Sequence, residues 1–340
     1  MAISNDLLSS TLYSIRESEV DNLFKKVAFL DGVRRAGGVE TESGGIKIQR
    51  PLSIAEHSTI TQLSSGYEPV SLAVNDVLRP AVYEWCDFVA PIVITRKEEM
   101  ENSGEYAIVK ILESRMKSVM GMLRRELNKQ VLRGDSTILS AMNTLNGDGP
   151  TAGGIGSDTG FLEPISPVLP SGQDNVVGGI SKATFQVPGW LNQFQNAGGT
   201  LAMTDLYDLY IAANNVAPSG DVSHVIMSNS CFSQYRNLLF AQERFVQTDK
   251  LDGGRMALAF NGAVAEADPE MGFTNSVAGN VDAYMLNYDG IKLVFHSEGD
   301  FAVSPFEHVS GTTARAAQLY VKVQLVADHL GGQGILIDAD

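Results

Sequence analysis

The stretch Thr95–Gly134, TRKEEMENSGEYAIVKILESRMKSVMGMLRRELNKQVLRG, carries the strongest periodic signal in the chain. Ile108, Ile111, Leu112, Met116, Val119, Met120, Leu123, Leu127 and Val131 recur at three- and four-residue steps, as on one face of a helix. Thr95 and Glu98 have the spacing of a capping box, in which hydroxyl and carboxylate satisfy exposed backbone N–H groups. Gly134 suits a left-handed C-cap, and Arg124, Arg125, Lys129 and Arg133 suit the negative end of the helix dipole. Unbroken, the span would run roughly 57 Å at about 1.5 Å per residue, with Gly104 and Gly121 as places where it could bend. A compact core rarely needs such a rod. The apolar stripe drifts with a 3.6-residue period instead of holding heptads, which disfavours a coiled coil. A backbone helix in an extended, plate-like protein fits better than the core helix of an ordinary domain.

The flanking segments also read as parts of something extended. In residues 1–35, Leu7, Leu8, Leu12, Ile15 and Val20 suggest a short amphipathic helix, and DNLFKKVAFL a second apolar patch. Such an arm must bury its apolar face on its own domain or on a neighbour. Residues 36–80 turn to Gly, Ser, Thr and β-branched residues that alternate, as in Ile46-Lys47-Ile48 and Thr59-Ile60-Thr61. They read as a long β-hairpin or loop bounded by Gly44-Gly45 and Gly66, either meandering within its domain or lying on another surface. AVYEWCDFVAPIVI (81–94) reads as a mostly buried strand with Pro91 marking its edge. Residues 135–145 continue helically, and the Gly/Pro/Ser/Asp-rich 146–180 is the clearest linker. Beyond it lie a capped helix (Thr204–Asn214), a short buried strand (His224–Ser228) and a helix (Cys231–Phe240). Long strands follow at 283–306 and 315–328, then GGQGILID; such late strands could return to pair in the first domain.

Composition narrows the function. The 340 residues are 44% apolar and 19% charged, enough for a sizeable folded core in two domains, or in one with large insertions. A net charge of -15 argues against general nucleic-acid binding, though not against a surface that faces nucleic acid while repelling it. Cys86 and Cys231 read as buried free thiols. No apolar run reaches membrane-spanning length, and the N-terminus lacks the features of a signal peptide, which points to a cytoplasmic protein.

Chemistry-bearing motifs are sparse. His57, His224, His296, His308 and His329 are scattered, without metal-ligand spacing. There is no GxSxG elbow and no Walker loop, and Gly153-Gly154-Ile155-Gly156 lies in the linker and opens no helix. Asp249, Asp252, Glu266, Asp268 and Glu270 lack the regular calcium-loop spacing and read as solvated loop charges. No catalytic, cofactor-binding or metal-binding residue is assigned.

Several segments together resemble the major capsid proteins of tailed bacteriophages, with the Hong Kong 97-like fold. Gly178-Gly179-Ile180 with KATFQVPGWLNQ is similar to the family's interdomain linker. SNSCFSQYRNLLFAQERF (Ser228–Phe245) resembles its strand-then-helix stretch. ALAFNGAVAEADPEM and AYMLNYDGIKLVFHSEGDFAVSPF resemble its FxGAxVxxD and YxLNxDxLKLxxH patterns, and GQGIL its closing strand. Asp328-His329-Leu330-Gly331-Gly332 departs from the family's Asn-Arg-Arg-Arg run, so any basic contact made there is in doubt.

The resemblance covers essentially the whole chain and implies an α+β fold in named parts. These are an N-terminal arm (1–35), an extended loop (36–80) and a peripheral domain (81–178, spine helix 95–134) completed by strands in 284–328. An axial domain (179–283) would be completed by 329–340. It implies a non-enzymatic shell subunit of the virion, built from pentamers and hexamers of itself and assembled in the host bacterial cytoplasm. The arm and loop would be satisfied by neighbouring copies. Packaged double-stranded DNA would be held without sequence-specific binding, a portal protein would occupy one vertex, and no membrane would be involved. About 35 residues precede the loop, which implies a separate scaffolding protein; a decoration protein is a further candidate partner. Lys47 lies in the loop, but no partner for a lysine–asparagine cross-link is identifiable. The alternatives are an encapsulin-like nanocompartment shell and an acidic α+β hydrolase with unrecognised catalytic residues.

Overall fold

A computed structural model describes residues 5–53, 62, 64, 66, 78–101, 105–134, 176–182, 188–217, 220–241, 249–250, 256–275 and 279–339. Two sheets organise the chain. The six-stranded sheet runs β1 (Val39–Glu42), β14 (Ile291–His296), β17 (Ala314–Ala327), β15 (Ala302–Val303); β16 (Glu307–His308) and β4 (Cys86–Thr95) also pair with β17. The eight-stranded sheet runs β7 (Gln193–Asn196), β18 (Gly334–Ile337), β13 (Gly279–Leu286), β8 (His224–Met227), β11 (Ala263–Ala267), β10 (Met256–Phe260), β9 (Asp249–Lys250), with β12 (Phe273–Asn275) beside β13. Two hairpins stand apart: β2 (Lys47–Ser53) with β3 (Leu78–Glu84), and β5 (Val176–Val177) with β6 (Ile180–Ser181).

The helix signal resolves into two pieces, α3 (Arg96–Glu101) and α4 (Glu105–Arg133). The capping box at the start is present. Thr95 N and Oγ1 donate to Glu98 Oε2 at 3.0 and 2.9 Å, and Glu98 N reaches back to Thr95 Oγ1 at 3.4 Å. A single straight rod is not formed. Arg115 donates to Glu98 Oε1 at 2.5 Å, whereas seventeen residues along one helix would separate their backbones by about 25 Å. The chain therefore turns between α3 and α4, and α4 alone is about 43 Å long. It continues unbroken through Gly121 and ends at Gly134, whose φ of 65° and N–H to Gln130 O form the left-handed cap. Leu112, Met116, Met120, Leu123, Leu127 and Val131 are buried, as their spacing requires. Residues 135–145 and 146–175 lie outside the described residues.

Against α4 packs α1 (Asn5–Lys26), and α2 (Ala28–Arg35) packs in turn on α1, β14 and β8. The first is longer than the expected short helix; Asp21 pairs with Lys25 one turn on and with Arg34 of α2 at 2.6 Å, tying the two together. Leu12, Leu23, Phe24, Phe29, Leu30 and Val33 are buried in the same core as α4 and the six-stranded sheet. This corrects the expectation that a neighbouring copy satisfies the arm's apolar face: from residue 12 onward its own chain does.

Residues 81–94 are also not one buried strand. Their first part belongs to β3, and β4 alternates: Cys86, Ile92 and Ile94 face the helices while Val89 (54%) and Val93 (40%) are exposed. This is the pattern of an edge strand, where Pro91 can lack its N–H without cost. The 283–306 stretch is likewise interrupted. Asn287 Oδ1 accepts Asp289 N–H at 2.9 Å, closing a turn that ends β13 in one sheet and starts β14 in the other. The helix near 204 is α5 (Met203–Val216), capped by Asp205, whose Oδ2 accepts Ala202 N–H at 3.0 Å. With α6 (Asn229–Ala241) it covers a second core on the eight-stranded sheet.

The two sheets meet where the chain crosses twice. The β13–β14 turn lies beside the β17–β18 connection: Gly290 O accepts Asp328 N–H at 2.8 Å and His329 N–H at 3.2 Å. Gln333 clamps the same turn, its Oε1 taking Asn287 N–H at 2.9 Å and its Nε2 donating to Asn287 O at 2.6 Å. A Cβ at Gly290 would sit 2.3 Å from His329 O, a backbone atom with nowhere to move. Gly290→Ala should therefore destabilise the chain by about 1–3 kcal/mol, read as a lowered denaturant midpoint; an unchanged midpoint would show that the crossover yields.

Candidate functional site

The β2–β3 hairpin belongs to neither of the two large sheets. Its register runs from Lys47 opposite Glu84 to Ser53 opposite Leu78. Ile48, Leu52, Ala81 and Tyr83 are buried, whereas Pro51, Pro80 and Arg79 are exposed and Leu78 is 64% exposed. Pro51 lies directly opposite Pro80, so neither residue there can donate to a ladder, and the outer part is poorly suited to recruiting strands at its edges. The tip expected around Ile54–Thr61 lies outside the described residues, as does His57.

The base is fixed by polar contacts the sequence did not reveal. Glu40 and Glu42, two apart on β1, share one face of the sheet and meet Arg50 of β2. Arg50 bonds Glu40 directly and lies 3.2 Å from Glu42; Lys292 of β14 is 2.5 Å from Glu40 and 3.6 Å from Asp328. Three carboxylates and two cations thus join β1, β2, β14 and the end of β17. Burial pushes the Glu40 carboxyl up, but hydrogen bonds from Lys292 and Arg50 outweigh it and hold the group below its ordinary value of 4.5. Tyr83 Oη donates to Ala327 O at 3.1 Å, Trp85 Nε1 to Gly45 O at 3.1 Å, and Lys47 pairs with Glu84 at 2.8 Å. Lys47 is thereby held at the hairpin base.

A second polar seam joins the helices to the eight-stranded sheet. Asn128 of α4 donates to both Asp268 oxygens at 3.1 Å, Arg133 Nε to Glu270 O at 2.7 Å, and Tyr284 Oη to Leu132 O at 3.0 Å. Arg133 in the basic last turn therefore has a partner beyond the helix dipole. Glu266 lies 3.4 Å from His224 Nε2 and 3.6 Å from Arg35, and His224 Nδ1 is 2.5 Å from Tyr288 Oη. This corrects the reading of the acidic cluster as solvated loop charges: Glu266 and Asp268 are buried. Asp252 lies outside the described residues. The sequence signal was their place on β11 and just after it, inside an apolar alternation, where a carboxylate must be partnered.

The remaining candidates are dispersed. His296 stacks edge-on to Trp85 at 5.3 Å, His308 is on exposed β16, and burial lowers the His329 imidazole below its usual value. Among the described residues no three His, Cys, Asp or Glu side chains gather as a metal site. Cys86 and Cys231 are buried free thiols, as expected, pushed up by burial to about 11 and about 12. Among the described residues no helix is long and apolar enough to cross a membrane.

No protein-family model and no curated protein sequence matches the chain. Solved structures do. The cyanophage A-1(L) capsid superposes with a TM-score of 0.58 at 12% identity, covering 89% of this chain and 91% of that one. The holo encapsulin complex from Synechococcus elongatus gives 0.54 at 10% identity, covering 91% and 88%. The capsid of an empty GTA particle gives 0.53 at 11% identity, covering 90% and 89%. The chain has the Hong Kong 97-like α+β fold.

The hairpin base should be acid-sensitive. Glu40 lies below its ordinary value in the folded chain, so its contribution is complete above pH 4.5 and is lost as pH falls through the folded value. Amide protection across β2 and β3 should drop on acidification below 4.5. In Glu40→Gln it should already be about fivefold lower at pH 7, corresponding to ~1 kcal/mol for a partly exposed network. Equal protection in both proteins at pH 7 would contradict this.

Proposed function

We propose that this chain is the major capsid protein of a tailed bacteriophage, a subunit that assembles with copies of itself into an icosahedral shell around double-stranded DNA. The observation that carries the reading is the likeness to the cyanophage capsid over about nine-tenths of both chains. Fold alone does not imply function, but one feature of this chain supports the same use: a hairpin outside both sheets is anchored by a charged network at Arg50 and carries exposed residues, Leu78 among them, at its outer end.

On this reading the six-stranded sheet with α4 is the peripheral domain, the eight-stranded sheet is the axial domain, and residues 36–80 are the loop laid across a neighbour. Copies then meet through heterologous contacts that close into a shell. Each contact can be modest, because a subunit held by several neighbours gains avidity. The charge of -15 leaves little to bind phosphates, which suits a wall against which DNA is packed. A portal at one vertex, a separate scaffolding protein and a decoration protein are the partners such a virion shell would use, with assembly in the host cytoplasm.

The likeness to an encapsulin complex supports a second reading, a protein nanocompartment with the same subunit architecture. Nucleic acid inside native particles favours the phage shell, and protein cargo in its place favours the nanocompartment. Electron microscopy and sedimentation of the purified chain test both. Discrete closed particles are expected; a monomer or dimer under every solution condition tried would overturn the shell readings together.

A further inference from the structure

Helix α4 carries seven Lys or Arg against three Glu, a net of +4 inside a chain of -15. From Arg115 onward six basic residues stand against Glu126 alone. Three of the six have carboxylate partners within the chain. Arg115 donates to Glu98, Lys117 lies 2.5 Å from Glu113, and Arg133 lies 3.5 Å from Glu270. Glu126 is taken by Gln130, whose Nε2 donates to it at 2.7 Å. Arg124 and Arg125 form no salt bridge among the described residues.

The helical period sets where these groups point. Ser114, Ser118, Gly121, Arg125 and Lys129 fall at three- and four-residue steps on the side opposite the buried Leu112, Met116, Leu123 and Leu127. Ser114, Ser118 and Arg125 are exposed, and a Cβ on Gly121 would meet nothing within 4 Å. The stripe is about 22 Å long at about 1.5 Å per residue, with Arg124 on its flank. Met122 is the one large apolar side chain that α4 exposes among the described residues.

That composition selects the partner. The centre of a protein interface is built from apolar and aromatic side chains that expel water, and one methionine does not supply it. Arginines and serine hydroxyls are the groups that contact phosphate oxygens. We propose that the outward face of α4, from Ser114 to Lys129, contacts the phosphate backbone of nucleic acid enclosed by the shell, chiefly through Arg124 and Arg125. This rests on the reading of the chain as a shell around DNA. The contact is local and weak, because a body of net charge -15 repels phosphates as a whole. It carries no sequence information, since phosphates are alike along any strand.

Chemical modification of arginine reads the contact without mutation. Arg124 and Arg125 should react with phenylglyoxal at least about fivefold more slowly in DNA-filled native particles than in intact particles emptied of DNA, the factor for a partly exposed ion pair. Peptide mass spectrometry gives the rate at each residue. Equal rates in filled and emptied particles would overturn the contact and leave the shell reading standing. Slow reaction in both would show that protein covers the face, which overturns nucleic acid as its partner. Particles that never hold nucleic acid would overturn this inference together with the DNA-shell reading.

Discussion

The two sheets are held as one body because the chain passes between them twice at the same place. β13 leads into β14 and β17 leads into β18, and the two connections run in contact. Gly290 O serves both Asp328 and His329, while Asn287 and Gln333 exchange hydrogen bonds through backbone and amide. A third link passes close by, where Gly189 O accepts the N–H groups of Leu330 and Gly331 at 3.0 and 3.1 Å. Four of these six bonds join backbone to backbone and two use the Gln333 amide, so most of the geometry depends on the chain path and leaves little room for a Cβ at Gly290. That is one physical reason why a fold can persist at 10–12% identity to its structural likenesses.

Apolar burial builds two cores around this crossover: one takes in α1, α2, α4 and the six-stranded sheet together with Ile226, Tyr284, Leu286 and Ile335 of the eight-stranded sheet, and the other lies under α5 and α6. Polar contacts join the parts: Asn128 with Asp268 at the end of α4, Arg35 and His224 with Glu266 beneath α2, and the five-charge network at the hairpin base. Hydrophobic contact is non-directional, whereas these pairs fix an orientation, which is what a subunit needs if its hairpin is to project at a set angle.

The elements were largely legible in the sequence where one residue pattern dictates one local structure. The Thr95–Glu98 box, the Gly134 cap, the buried stripe of α4, the strand at His224 and the buried thiols follow from spacing and chemistry alone. What was not legible depends on tertiary placement. The turn between α3 and α4 shows only in the Arg115–Glu98 contact. Glu40, Glu42, Arg50, Lys292 and Asp328 are spread over nearly 290 residues, and nothing local announces that β1 lies beside β14. Leu23, Phe24 and Phe29 looked as ready for a neighbour as for their own core, because an apolar face does not name its partner. Glu266 and Asp268 read as loop charges because their spacing matched no metal-binding loop; only the strand pairing shows them enclosed.

On the proposed reading, each copy is one two-sheet body whose hairpin lies on another copy. A near-atomic reconstruction of assembled particles by electron cryo-microscopy tests this most directly. The account predicts that the two sheets of every copy superpose as a unit about the Gly290 crossover, and that density for residues 47–84 crosses onto an adjacent subunit. A hairpin folded back over its own subunit in every copy, or sheets swivelled independently about the crossover, would contradict it.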